Sequence, residues 1–420
     1  MREMKDSGAR WIGLIPAEWQ VDKLKFHLKR NEPRNPGNMI VLSLYRELGV
    51  VPKDSRNDNH NVTSEDTSKY KYVKQGDFVI NKMKAWQGSV AVSDYEGIVS
   101  PAYFVYNFTD KVFYKRYFHY LLRSCYKDEF MRLSGGIRVG QWDLPSEALD
   151  NVVVLIPPMK QQRYIVDYLD VKCAKIDALT TDIQAQIDTL EQYKRSIITE
   201  AVTKGLSPNA EMKNSGIEWI GAIPAHWSVH PVYTYFGERK HKNRFGTENN
   251  LLSLSYGRII RKDINTSDGL LPESFNTYNI VEAGDIIIRP TDLQNDKRSL
   301  RTGLVKEHGI ITSAYIDLCP IKKVDSRYFH FLLHAYDVMK VFYNMGNGVR
   351  QGLNYSEFSR LMVFEPSYDE QVAIANHLDA KCTEIDDTIA QKQEQLSTLE
   401  AYKKSLIYEY VTGKKEVPLS

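Results

Sequence analysis

Two segments of the chain, residues 81–89 and 289–303, combine basic, amide and aromatic side chains that suit contacts with nucleic acid. The first, NKMKAWQGS, supplies Lys82, Lys84, Trp86 and Gln87. The second, RPTDLQNDKRSLRTG, supplies Arg289, Asp292, Gln294, Asn295, Arg298 and Arg301. Arginine and amide groups can make bidentate contacts with guanine and adenine edges, and lysine can neutralise phosphate. We predict that both segments contact DNA, although a solvated loop would be equally polar.

Two glycine-rich turns follow later, GGIRVGQW (135–142) and GNGVRQGLNYS (346–356). They share an arginine and contain further amide side chains, so the candidate contacts there are Arg138, Gln141, Arg350, Gln351 and Asn354. Successive backbone N–H groups in such a turn can form a nest for phosphate. A tight structural turn is the competing interpretation.

The elements that must position these segments belong to an internal sequence repeat, whose two copies are about 209 residues apart. Residues 3–19 match residues 211–227 at 12 of 17 positions, and residues 161–203 match 370–412 at 20 of 43 positions. The shared opening contains closely set tryptophans, Trp11 and Trp19, then Trp219 and Trp227. These rings could stack on bases, but we expect a turn that clamps them into a core.

Between the repeated blocks, β-rich runs precede a short helix in each copy. The runs are 39–45, 75–81 and 97–107 in the first copy, and 250–256, 283–289 and 309–319 in the second. The helices are predicted at 116–122 and 327–333, and a final strand precedes Pro157 or Pro366. The predicted fold class is α+β, with two mixed α/β globular units of residues 1–158 and 204–367.

Two long helices, residues 159–203 and 368–413, carry apolar positions that alternate by four and three, with a tail of 414–420 after them. This sustained period of 3.5 residues, without Gly or Pro, is typical of a coiled coil rather than of an amphipathic helix on a globular core. The predicted seam consists of Leu169, Cys173, Ile176, Ile183, Ile187, Leu190, Ile197, Leu378, Cys382, Ile385, Ile389, Leu396, Leu399 and Leu406. We expect antiparallel pairing within the chain, with internal pseudo-twofold symmetry.

Net charge and cysteine placement indicate which partners and which compartment to expect for the protein. Net charge is +4 for residues 1–158 and +3 for 204–367, against −1 for 159–203 and −4 for 368–420. This asymmetry permits a polyanion partner for the globular units, although such values are ordinary for a domain. The N-terminus has no apolar segment and the four cysteines occur singly, so we expect a cytoplasmic protein without a membrane segment.

No motif for catalysis recurs in both copies. The chain has no Walker loop, no G-x-G-x-x-G motif and no His/Cys cluster with zinc spacing. His330 and His334 are four residues apart, but the first copy has His119 and Arg123 there, so we expect no metal pair. Scattered acidic residues argue only weakly against a magnesium-dependent nuclease.

The whole pattern resembles the specificity (S) subunit of type I restriction-modification systems. The resemblance rests on the doubled WIGxIPAxW opening, the QxGD motif with its AxGD counterpart, and the doubled Q-x-x-I-x-x-x-L-D-x-K-C-x-x-I-D block. It implies two target recognition domains, 1–158 and 204–367, separated by conserved helical regions. It also implies a non-catalytic subunit that reads a bipartite, asymmetric double-stranded DNA site, and we expect the helix pair to set the half-site spacing.

The same resemblance implies two methyltransferase (modification) subunits and two restriction subunits as partners. S-adenosylmethionine, ATP and magnesium are then expected on those partners and no cofactor in this chain. The alternatives are the specificity subunit of a fused restriction-methylation enzyme, a stand-alone nuclease, and a coiled-coil adaptor that does not bind DNA.

Overall fold

The computed structural model describes residues 2–46, 48–55, 63–64, 66–136, 142–217, 220–265, 274–291, 300–343, 345 and 352–418. The chain divides into two compact units, residues 1–183 with 394–420, and residues 184–393. We call them unit 1 and unit 2. Both divisions fall inside the long helices, so each unit contains a piece of each helix.

The first half of the chain contains twelve described strands and four α-helices. The strands are β1 Met4–Asp6, β2 Leu14–Pro16, β3 Gln20–Lys23, β4 Leu28–Arg30, β5 Leu42–Tyr45, β6 Gly49–Pro52, β7 Lys71–Val73, β8 Phe78–Asn81, β9 Val90–Val92, β10 Gly97–Val99, β11 Tyr103–Phe108 and β12 Val153–Ile156. The helices are α1 Lys115–Cys125, α2 Lys127–Leu133, α3 Ser146–Asp150 and α4 Met159–Lys204.

The second half repeats most of this order. Its described strands are β13 Met212–Asn214, β14 Ala222–Pro224, β15 Ser228–Pro231, β16 Phe236–Glu238, β17 Leu252–Ser255, β18 Arg258–Arg261, β19 Asn279–Val281, β20 Ile286–Ile288, β21 Thr302–Leu304, β22 Gly309–Ile311, β23 Ile316–Pro320 and β24 Met362–Glu365. The helices are α5 Ser326–Val338, α6 Tyr355–Phe358 and α7 Tyr368–Val411.

Each unit is organised around a four-stranded antiparallel sheet. The strand order is β4-β11-β8-β9 in unit 1 and β16-β23-β20-β21 in unit 2. Successive side chains of a strand point to opposite faces, and both faces here are covered. In β8, Phe78 and Ile80 join the larger core while Val79 joins a smaller one. In β20, Ile286 and Ile288 separate from Ile287 in the same way, which explains why these strands read as continuous apolar runs.

The repeated tryptophans hold the start of a long helix against its own unit. Trp19 is 1% exposed and donates its indole N–H to Gln161 Oε1 at 2.8 Å, near the start of α4. Trp227 is 0% exposed and donates to Glu370 Oε1 at 3.0 Å, near the start of α7. The structural interpretation is therefore confirmed for these two rings. Trp11 is half-buried beside Tyr126, and Trp219 lies outside the described residues.

The predicted long helices are present as α4, of 46 residues, and α7, of 44 residues. Within unit 1, Asp177 accepts a hydrogen bond from Lys403 and Tyr168 lies against Tyr410. Within unit 2, Lys194 Nζ lies 2.7 Å from Asp386 Oδ1 and Lys392 donates to Gln186. Residue numbers rise on one helix as they fall on the other, so the helix segments in each unit are antiparallel, as predicted.

The β-rich runs predicted at residues 97–107 and 309–319 each contain two strands, which a turn separates. In unit 1 the break is at Ser100–Ala102, which contains Pro101, and β10 and β11 then pair with different strands. Proline removes a backbone donor, but unit 2 has Ser313 at the equivalent position and the same break, so the break does not depend on proline.

Candidate nucleic-acid interface

The first predicted contact segment forms a tight turn at the end of β8. Asn81 accepts hydrogen bonds from the backbone N–H of Met83 through its side chain and of Lys84 through its carbonyl. A 3-10 helix, Ala85–Gln87, follows and ends at Gly88, whose φ of 87° suits glycine. Met83 is 51% exposed and Lys84 is also exposed, so the turn presents these two side chains to solvent.

The structure brings this segment together with the later glycine-rich turn of unit 1. The backbone N–H of Leu144 donates to the carbonyl of Lys82 at 3.0 Å, and Lys82 Nζ lies 2.6 Å from Asp143 Oδ2. The rings of Trp86 and Trp142 have centroids 5.5 Å apart. Residues 81–89 and 142–144 thus form one surface, which we call surface A. Arg138 and Gln141 lie outside the described residues.

Two of the predicted side chains in surface A have polar groups that face the protein. The indole N–H of Trp86 donates to the carbonyl of Met83 at 3.1 Å, inside the turn. The side-chain oxygen of Gln87 is buried, and within the described part of the chain it has no hydrogen-bond partner. Lys84 is consequently the predicted contact residue that this surface presents most openly.

Unit 2 joins its two predicted segments in the same way. The backbone N–H of Leu353 donates to the carbonyl of Pro290 at 2.9 Å, which is the counterpart of the Leu144 to Lys82 bond. Arg289 follows β20 directly and donates its backbone N–H to Arg301 at 2.8 Å. We call residues 289–291 and 352–354 surface B. Several predicted contacts of this unit lie outside the described residues, namely Asp292, Gln294, Asn295, Arg298, Arg350 and Gln351.

Arg301 does not fit its predicted role as a surface contact. Its side chain is 0% exposed, with Nε donating to the Tyr343 hydroxyl at 3.0 Å and Nη1 donating to the carbonyl of Thr291. Its backbone N–H donates to Asp337, which also accepts from Tyr343 at 3.0 Å. Burial raises the pKa of Asp337. Arg301 therefore supports Thr291 of surface B from inside the unit.

Asn354 also has a structural role. It is the N-cap of α6, where its side chain accepts from the Glu357 N–H at 2.9 Å and Glu357 accepts from the Asn354 N–H at 3.2 Å. This reciprocal capping box occupies the Asn354 oxygen that would otherwise accept from a base.

The aspartate of the QxGD and AxGD motifs closes the turn that precedes the central strand. In unit 1, Asp77 accepts from the Lys74 N–H at 2.9 Å and from the Asn107 amide at 2.6 Å. In unit 2, Asp285 accepts from the Glu282 N–H at 2.8 Å and pairs with Arg239 at 2.8 and 3.0 Å. The motif is thus a support for the strands that end at surfaces A and B.

The predicted seam residues are all buried or half-buried. Eight have exposures of 8% or less, among them Leu169, Ile187 and Leu378, whereas Leu179 and Val171 on α4 are more than half exposed. The sequence reasoning missed the ion pairs that flank this seam, Asp177 with Lys403 and Lys194 with Asp386. Asp177 matches Asp386 in the repeat and Lys194 matches Lys403. The identity of these charged residues between the two copies is the sequence feature that could have indicated the ion pairs.

The described residues show no group of three or more His, Cys, Asp or Glu side chains that could hold a metal ion. Burial lowers the pKa of His330 to about 3 and that of His334 to about 4. All four cysteines are free. Among the helices of the described chain, none combines the length and apolar character needed to span a membrane.

Comparison with known proteins gives one consistent answer. Residues 20–189 match the family model of the type I restriction modification DNA specificity domain. The putative type I restriction enzyme MjaX specificity subunit of Methanocaldococcus jannaschii is 24% identical, over 97% of this chain and 96% of that protein. The MjaVIII specificity subunit of the same organism is 22% identical, over 96% and 94%.

Solved structures agree on the fold. One chain, from a study of complex assembly and conformational transition of the type I R-M system, has a TM-score of 0.69 at 12% identity and covers 96% of this chain and 99% of its own length. The HsdS subunit of Thermoanaerobacter tengcongensis has a TM-score of 0.50 at 13% identity, with coverages of 96% and 98%. The resemblance inferred from the sequence is confirmed.

Proposed function

Residues 20–189 belong to the type I restriction-modification DNA specificity domain family, and on this premise we propose that the chain is the sequence-recognition subunit of such a system. It reads a bipartite, asymmetric double-stranded DNA site, with unit 1 reading one half and unit 2 the other. It has no catalytic role itself. Methylation and cleavage belong to partner subunits that it holds on the DNA.

One observation carries the proposal: the two units share a framework but differ in what the framework presents. The bond from Leu144 to Lys82 and the bond from Leu353 to Pro290 join equivalent segments at the ends of equivalent strands. The side chains on those segments differ, with Lys84 and Met83 on surface A and Arg289 and Thr291 on surface B. A conserved scaffold with unlike contact residues is what reading two different half-sites requires.

The helix pair offers a means of fixing the spacer between half-sites. Each unit contains the same Asp to Lys pair across its antiparallel helix segments, made by residues that are equivalent in the repeat. Half-sites whose centres are about one helical turn of DNA apart, roughly 34 Å, present the same face of the duplex. Inserting one heptad into each helix, near residues 183 and 396, should lengthen the recognised spacer and leave both half-sites unchanged.

The partners we propose are two methyltransferase subunits, bound to equivalent surfaces of the repeated chain, and two restriction subunits. In this proposal, S-adenosylmethionine, ATP and magnesium bind to those partner subunits. The seam residues and their flanking ion pairs keep the helices in one register, so that both partners meet a fixed surface.

The test uses the full chain with and without its methyltransferase subunit. We expect the chain to bind duplex DNA, with the logarithm of the binding constant falling linearly as the logarithm of salt concentration rises. The methyltransferase subunit should increase the affinity, and the complex should select one sequence from a random pool. Incubation of the chain alone with DNA and magnesium should leave the DNA intact. Cleavage would favour a stand-alone nuclease, and the absence of any DNA binding in the complex would favour an adaptor.

A further inference from the structure

The segment between β16 and β17 exposes a phenylalanine to solvent. Phe245 is 91% exposed, the highest value among the large hydrophobic side chains that the structure describes. Residues 239–246 also contain Arg239, Lys240, Lys242 and Arg244 and no acidic residue. An exposed apolar ring in a basic segment is a combination that polyanions with flat apolar faces, namely nucleic acids, can satisfy.

The turn that holds Phe245 is firmly built. Asn243 is 1% exposed; its backbone N–H donates to the carbonyl of Tyr278 at 2.9 Å and its side chain donates to the carbonyl of Glu248 at 2.8 Å. Gly246 donates to the carbonyl of Asn243 at 2.9 Å and has a φ of 62°. At the base of the segment, Arg239 makes two hydrogen bonds to buried Asp285. The ring is therefore presented by a fixed scaffold.

Unit 1 contains the same turn with a different tip. The backbone N–H of Asn35 donates to the carbonyl of Tyr70 at 2.9 Å, the counterpart of the Asn243 to Tyr278 bond. The residues that follow are Pro36 and Gly37, where unit 2 has Arg244 and Phe245. Since the turn forms with Pro-Gly at its tip, folding does not require the aromatic ring or the arginine.

Topology places this segment at the same edge of the sheet as the start of surface B. Strands β16 and β20 lie on either side of β23 and are both antiparallel to it. They therefore run in the same direction and end at the same edge of the sheet. Residues 239–246 follow β16, and the predicted contact segment that begins at Arg289 follows β20, so the two segments leave the sheet from one edge.

We propose that Phe245 is a DNA-contacting residue of unit 2, which stacks on or wedges between bases while Lys240 and Arg244 contact phosphates. Lys240 is assigned because its side chain is 70% exposed, although it lies 2.8 Å from Glu238. Lys242 is left out because its ammonium donates to the carbonyl of Thr277 at 3.0 Å. This inference rests on the proposed DNA-recognition function and adds a residue to it.

The experiment compares full-length variants in complex with the methyltransferase subunit. Fluorescence anisotropy measures binding to a random-sequence pool of labelled DNA duplexes at several salt concentrations. Phe245→Ala should weaken binding by about 5-fold to 100-fold without changing the salt slope, and Phe245→Trp should retain most of the affinity. The double change Lys240→Ala with Arg244→Ala should reduce the salt slope by about 2.

Tyr233→Ala is the matched control. Tyr233 is 54% exposed and lies just before β16, at the opposite end of that strand, so its loss should leave DNA binding unchanged. Equal affinity of Phe245→Ala and the wild type would overturn the inference, as would weaker capture of the methyltransferase subunit with unchanged DNA affinity. Failure of the wild-type complex to bind DNA would instead contradict the proposed function.

Discussion

Asp317 offers a sharp test of the packing in unit 2, because its carboxylate is buried without a dedicated partner. The side chain is 1% exposed, and within the described residues neither oxygen has a hydrogen-bond partner. Arg239 Nε lies 3.8 Å away but is already paired with Asp285. Burial, and then repulsion from Asp285, raises the pKa of Asp317 from 3.8 to about 8.

The direction of the pH effect follows from this pKa. The folded chain keeps a proton on Asp317 at pH values where the unfolded chain has lost it. The contribution to stability is therefore complete below about pH 4 and is lost as the pH rises toward 8. One pKa unit corresponds to about 1.4 kcal/mol, so at pH 7 the free energy of unfolding is lower than below pH 4 by on the order of 2 to 4 kcal/mol, because only the unfolded chain has released the proton.

Asp317→Asn removes the ionisable group at nearly constant shape. We expect the free energy of unfolding of the variant, minus that of the wild type, to grow by about 1.4 kcal/mol per pH unit between pH 5 and 7.5. Urea unfolding of the full chain, with hydrogen exchange of the β20 and β23 amides, measures it. Asp317→Val copies Val105, the counterpart in unit 1, and should behave alike. A difference that does not change with pH would refute the reasoning.

Three further predictions concern the helices and the histidines. Ile187→Ala should lower the free energy of unfolding by about 2 to 4 kcal/mol in urea titrations, since Ile187 is 3% exposed, while Leu179→Ala, 52% exposed on the same helix, should change it by less than about 0.5 kcal/mol. Asp386→Asn should cost about 0.5 to 1 kcal/mol and more than Asp177→Asn, because Asp386 pairs with both Lys194 and Arg258; equal losses would contradict the network. Burial lowers the pKa of His334 to about 4, so the free energy of unfolding should fall as the pH drops below about 6.5, by at most about 2 kcal/mol at pH 5. His334→Gln should reduce this acid sensitivity in the same urea titrations. An unchanged pH profile would show that the imidazole is protonated in the folded chain.

Much of the framework could be predicted from the sequence because it is governed by local rules. The alternation of apolar residues by four and three predicts a helix seam from local sequence alone, and the seam residues Leu169, Ile187 and Leu378 are buried. The doubled opening predicted buried tryptophans, and Trp19 and Trp227 are buried. The capping box of Asn354 was also readable as an Asn with Glu three residues later, and recognising it would have separated Asn354 from the contact residues.

The candidate contacts were harder to predict because their environment depends on residues distant in the chain. Arg301 is buried because Asp337 and Tyr343, about 40 residues later, accept its donors. Lys82 is tied to Asp143, 61 residues away. Phe245 was overlooked because its segment lies outside the four segments chosen as candidate contacts, although the dense positive charge of residues 239–246 is visible in the sequence. The type of a side chain alone therefore does not tell whether it is exposed to contact DNA or buried to stabilise the fold.

The central claim is that each unit independently chooses one half of a DNA site. The most direct measurement replaces residues 20–155 with those of a relative of different specificity and maps methylated sequences in cells that also express the methyltransferase subunit. One half-site should change, while the other half and the spacer stay the same. A change in both halves, or in neither, would contradict the account.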